Sequence, residues 1–154
     1  MDPIGLIKDN LNRIKEKKIL FVGIGNVLKS DDGVGVYISK HIHIHNNISV
    51  LTVEVSIENY IGKINSLDAD ILVLLDCIKK KKPPGSYWEL IPVSRLKGHT
   101  TNTHNISLAQ VSELFNAPAY ILGVQPKHLE FGENLSPEVK TAAHDIISQI
   151  NQLA

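Results

Sequence analysis

Apolar positions along the chain alternate between short unbroken runs and spaced stripes. Ile19-Leu20-Phe21-Val22, ending at Gly23, and Ile71-Leu72-Val73-Leu74-Leu75, ending at Asp76, carry no polar residue. Such runs suit parallel strands buried on both faces. Ile48 to Val55 and Tyr120 to Val124 read as further strands, and Tyr87 to Val93 as a fifth. Between them the apolar residues step by three or four, the spacing that lines one face of a helix. These stripes are Val34, Ile38 and Ile42; Ile57, Ile61, Ile64 and Leu67; Leu108, Val111, Leu114 and Phe115; and Val139, Ala142, Ala143, Ile146, Ile147 and Ile150. The last helix opens with Ser136 as N-cap and Pro137 at the first helical position, where its missing N–H costs nothing. Ile4, Ile7, Leu11 and Ile14 add a stripe before the first strand, predicting an extra helix over 1–17.

Strands alternating with helices predict a three-layer α/β/α sandwich around a mostly parallel five-stranded mixed sheet. The connection after Asp76 is polar, broken by Pro83 and Pro84, and shorter than the dozen or so residues of a parallel crossover. The strand at 87–93 is therefore expected to run antiparallel. With 154 residues, the chain is expected to form a single domain, the extra helix leading a core over 18–154. In such sheets ligands bind beyond the carboxyl ends of the strands. Two of the aspartates of interest are expected at that edge.

Composition narrows the function more than the fold. A formal net charge of zero and 5% aromatic residues give no case for nucleic acid as partner. No apolar run approaches the roughly 20 residues that span a bilayer, and the first residues lack the apolar core of a secretory signal. The single cysteine, Cys77, suits a reducing compartment. A cytoplasmic protein is expected.

The chemistry concentrates in Gly23-Ile24-Gly25-Asn26-Val27-Leu28-Lys29-Ser30-Asp31-Asp32-Gly33-Val34-Gly35. Glycines after a buried strand allow a tight turn and close approach of the backbone. A dinucleotide fingerprint would need its third glycine where Leu28 stands, and no G-K-[ST] follows. Adjacent carboxylates would also repel a phosphate. For Asp31 and Asp32 the rival account is helix capping, and one of them is free to cap while the other faces a site. Asp76 is either a functional strand-end carboxylate or a ligand of loop amides. His104 lies in the polar segment Thr100 to Asn105, longer than a simple connection requires. His41, His43 and His45 do not share a helix face and read as solvated. Cys77, next to Asp76, is expected on the opposite face of the strand as a small buried apolar residue. Lys79 to Lys82 reads as a solvated charge run. Two carboxylates and an imidazole suit zinc, nickel or another divalent ion. H-E-x-x-H and G-x-S-x-G are absent.

The glycine loop, with Leu74-Leu75-Asp76-Cys77, Thr103-His104-Asn105-Ile106-Ser107-Leu108 and Gly123-Val124-Gln125-Pro126, resembles the hydrogenase maturation proteases, in particular the hydrogenase-3-type branch. The resemblance runs from about Ile19 nearly to the C-terminus and implies the same fold, with the fourth strand antiparallel. It implies an endopeptidase that removes a C-terminal extension from the nickel-loaded precursor of a nickel–iron hydrogenase large subunit. By that resemblance the metal ligands and catalytic residues are Asp32, Asp76 and His104. Nickel would come with the substrate, zinc or cadmium being able to substitute in a crystal. Gly25, Asn26, Asp31, Gly33 and Gln125 are candidates for supporting the site or the substrate backbone. The alternative is a non-catalytic checkpoint protein of the same fold that binds nickel or precursor. The helix ahead of Ile19 departs from the family pattern.

Overall fold

The computed structural model describes residues 16–87, 90–93 and 108–153. Its five strands are β1 (Ile19–Ile24), β2 (Ile48–Glu54), β3 (Ile71–Cys77), β4 (Ile91–Pro92) and β5 (Ala119–Val124). The sheet order is β2-β1-β3-β5-β4. All neighbouring pairs are parallel except β4 with β5, where Ile91 faces Ile121 and Pro92 faces Tyr120. An antiparallel bridge from Tyr87 to Val124 extends that pairing. The short connection after β3 thus reverses the chain as expected, and Pro92 sits in an edge strand, where a missing donor is tolerated.

The unbroken apolar runs became the two central strands because both faces of the sheet are covered. Ile19, Phe21, Val73 and Leu75 pack on one side with the helices α1 (Val34–Ser39) and α4 (Pro137–Asn151). Leu20, Val22, Leu72 and Leu74 pack on the other, with Ile64 of α2 (Ile61–Ser66) and Val111 of α3 (Leu108–Ser112). At this density a substituent as small as a methyl decides what fits. A Cβ on Gly35 would stand 1.9 Å from the Leu75 carbonyl oxygen, so the first turn of α1 rests directly on β3.

Three helices are shorter than their stripes, α3 ending at Ser112 ahead of Leu114 and Phe115. The first ends at Ser39, although Ile42 beyond it is still buried. The stripe from Ile57 splits into a 3-10 turn, Ile57–Tyr60, followed by α2, and leaves Leu67 exposed. Ser136 is the N-cap residue of α4 and Pro137 follows it, but the Ser136 hydroxyl makes no capping bond. Most of the expected N-terminal helix, residues 1–15, lies outside the described residues. Among the described residues no helix is long and apolar enough to cross a membrane.

Candidate functional site

Asp76 is the sixth residue of β3, at the carboxyl end of the strand in the middle of the sheet, and is 1% exposed. Its Oδ1 accepts the backbone N–H of Cys77 at 2.8 Å. The glycine loop crosses the same edge. After β1 the backbone folds back at Gly25, whose φ is 139° and whose Cβ would lie 1.9 Å from the Asp32 carbonyl oxygen. No residue with a side chain fits that contact. The chain then closes a 3-10 turn, Ser30–Gly33, immediately before α1. Gly33 brings the turn onto Val27, its Cβ position being 3.0 Å from the Val27 Cα.

This turn delivers Asp32, fully buried, over the edge of the sheet. The Asn26 backbone N–H donates to Asp32 Oδ2 at 2.9 Å, and the Cys77 thiol donates to Asp32 Oδ1 at 3.2 Å. Asn26 itself is held in a turn by its Oδ1, which accepts the Leu28 N–H at 2.9 Å. Donor atoms of Asp32, Asp76 and Cys77 lie within 4.8 Å of one another. Two ligand atoms on one divalent ion, with bonds of about 2.0–2.3 Å, stand roughly 3.4–4.4 Å apart. Small side-chain rotations would therefore let this group hold such an ion. The two carboxylates are the ligands this group offers while the Cys77 thiol keeps its proton, and joined by a nitrogen donor they suit zinc, nickel or cadmium.

Cys77 corrects the reading made from strand alternation. Leu75 and Cys77 do belong to one face of β3, and Leu74 and Ile78 to the other. The site lies beyond the end of the strand, however, and a side chain arriving over that edge reaches residues of both faces. Burial, then the carboxylates of Asp76 and Asp32, push the Cys77 thiol well above its ordinary pKa. It is a protonated donor at neutral pH, the state in which a thiol is a poor nucleophile.

Asp31 has a different task from its neighbour. It is fully buried, and four donors converge on it. Oδ2 accepts from Lys127 N (2.8 Å), His128 N (2.9 Å) and Ser136 Oγ (2.9 Å), and Oδ1 from Ser136 N (2.7 Å). This is where the Ser136 hydroxyl goes instead of capping its helix. Ser30 joins the same staple: its N–H donates to Gly132 O at 2.7 Å and its hydroxyl to Glu130 O at 2.8 Å. These bonds hold Ser30 at φ 53°, a left-handed conformation that costs a non-glycine residue about 1–2 kcal/mol. Neither aspartate caps α1, whose N-cap is Gly33. Gln125, 8% exposed, accepts the Lys80 and Lys82 N–H groups on its Oε1 at 2.7 and 3.3 Å. Its carboxamide thus holds the lysine loop. His41, His43 and His45 are exposed, in keeping with solvated histidines. His104 lies outside the described residues.

No signal along the chain announced the Asp31 staple or the thiol beside Asp32, because their partners lie 45 to 105 positions away.

The profile of the hydrogenase maturation protease family matches residues 33–153, beginning one residue after Asp32. A Methanocaldococcus jannaschii protein assigned as a hydrogenase maturation protease is 24% identical over 158 residues, covering 93% of this chain and 92% of that one. The hydrogenase expression/formation protein HupD of Thiocapsa roseopersicina is 28% identical over 140 residues, covering 81% of this chain and 62% of the relative. The fold is that of the NiFe hydrogenase maturation protease HycI from Thermococcus kodakarensis (TM-score 0.80, 23% identity, 95% of this chain and 96% of that one). The hydrogenase maturating endopeptidase HybD from E. coli has a similar fold (TM-score 0.74, 24% identity, 86% and 89% covered).

Proposed function

The chain belongs to the hydrogenase maturation protease family, and from that premise we propose that it removes a C-terminal extension from the nickel-loaded precursor of a nickel–iron hydrogenase large subunit. The observation that carries the reading is the delivery of Asp32 over the sheet edge to meet Asp76, with donor atoms within 4.8 Å. Two buried carboxylates this close repel each other, and a cation between them removes the repulsion.

The cation is the nickel of the substrate, and zinc or cadmium fits the same donors. A divalent ion at such a site polarises a peptide carbonyl or lowers the pKa of a bound water. Asp32 is oriented for its part by the Asn26 N–H and the Cys77 thiol, one on each oxygen. Asp76 offers its carboxylate from the strand end. The family resemblance assigns His104 as the third ligand. The loop from Gly25 to Gly33 supplies the backbone beside which the substrate chain lies. Cys77 orients Asp32 and takes no part as nucleophile. The cytoplasm, where the single cysteine stays reduced, is the proposed place of action.

The test is incubation with nickel-loaded precursor, following the mass of the large subunit. The wild-type chain should shorten it. Asp76→Asn and His104→Ala should each lower the rate at least about 100-fold while leaving the melting temperature within a few degrees. Full cleavage by Asp76→Asn would remove the metal-ligand role. Stable binding of the precursor without any shortening by the wild type would make the chain a checkpoint protein instead.

A further inference from the structure

We propose that the loop Lys79–Lys82 is a docking surface for an acidic segment of the precursor protein, set beside the cleavage site. The proposal rests on the processing function above. The loop leaves the carboxyl end of β3, and Lys79 follows Asp76 by three residues, a chain distance of at most about 11 Å. The loop therefore begins close to the sheet edge where Asp32 and Asp76 meet.

The loop is built rather than slack. It departs where Ile78 N donates to Val124 O (2.9 Å) and returns where Gly85 N donates to Gln125 O (2.9 Å) and Gln125 N to Ser86 O (2.8 Å). Between those points the buried Gln125 side chain accepts the N–H groups of Lys80 and Lys82. Lys81 takes a left-handed φ of 55°. Gly85 lies against the backbone of Glu138, where a Cβ would come within 2.5 Å of its carbonyl oxygen. A buried polar side chain is thus committed to giving a run of four consecutive cations one shape.

Lys79, Lys81 and Lys82 are exposed. Among the described residues none of these three is in an ion pair. Cations gathered in a fixed loop repel one another, and a complementary acidic chain relieves that repulsion while steering encounter. Net charge is zero over the whole chain, so the cationic character of the loop is local.

The experiment uses the full chain with Lys79→Gln, Lys81→Gln and Lys82→Gln combined, and fluorescently labelled nickel-loaded precursor as probe. Binding is read by anisotropy from about 50 to about 500 mM salt. Wild-type affinity should fall steeply with salt. The triple variant should bind about five-fold or more weakly at low salt, show a flatter salt dependence, and cleave with raised KM and unchanged kcat. Equal affinity and equal salt slope in both proteins would overturn the docking role and leave the protease reading standing. Wild-type protein that fails to bind the precursor at any salt would overturn both. An oligonucleotide retained by the wild type and released by the variant, with precursor binding unaltered, would assign the loop to nucleic acid and sink the proposal. If the triple variant melts early, the single variants Lys79→Gln and Lys82→Gln carry the same comparison.

Discussion

At Asp32 each carboxylate oxygen meets a donor of a different kind, a backbone N–H at 2.9 Å and a thiol at 3.2 Å. The thiol is useful there only while it keeps its proton, and burial together with the neighbouring carboxylates ensures that it does. Two consequences follow for Cys77. In the folded protein at about pH 8 it should react with a disulfide reagent only as fast as the protein opens, whereas a free thiol reacts at once. Rapid labelling of the native chain would contradict the geometry. Because the folded-state pKa lies above the unfolded one, the folded state holds the thiol proton more tightly. The contribution to stability is complete below the unfolded thiol pKa and is lost as pH rises from there toward the folded value. Denaturation midpoints should therefore drop on the alkaline side of about pH 8.5, and Cys77→Ala should remove that component of the drop.

Among the elements, the turn Ser30–Gly33 matters most, since it sets where Asp32 stands. It is stapled to the segment leading into α4 by the four bonds on Asp31 and the two from Ser30. Asp31→Ala removes the acceptor of four hydrogen bonds and leaves the two buried Ser136 donors unpaired, and should cost about 3 kcal/mol by urea denaturation. It should also slow cleavage, because the turn that aims Asp32 is released. A loss under about 1 kcal/mol would show that water or a rearranged loop replaces the carboxylate. Asp31 and Asp32 stood side by side in the sequence with the same two accounts available to both, a cap or a site. Neither caps. One binds the turn to the body of the protein and the other reaches the edge, and only the path of the chain separates their roles.

For the whole molecule, β3 is the element through which the two packed faces meet. Leu74 is fully buried and lies in register with Val22 of β1 and Ile121 of β5. Leu74→Ala should cost about 2–5 kcal/mol and shift a single cooperative unfolding transition, read by calorimetry. Two separated transitions would show that the faces unfold independently. The elements, the sheet type and the reversed edge strand were readable in advance because they depend on contiguous residues. Apolar run length, helical spacing and the short Pro-containing connection are all local properties. The strand-end position of Asp76 was readable for the same reason. What only the tertiary structure decided are the contacts made across the edge: the Cys77 thiol on Asp32, the nest around Asp31, and the use of Gln125 to shape the lysine loop. Their partners lie 43 to 105 positions apart, and no periodicity links such residues. Side-chain alternation also loses its meaning where a strand ends and another segment folds over it.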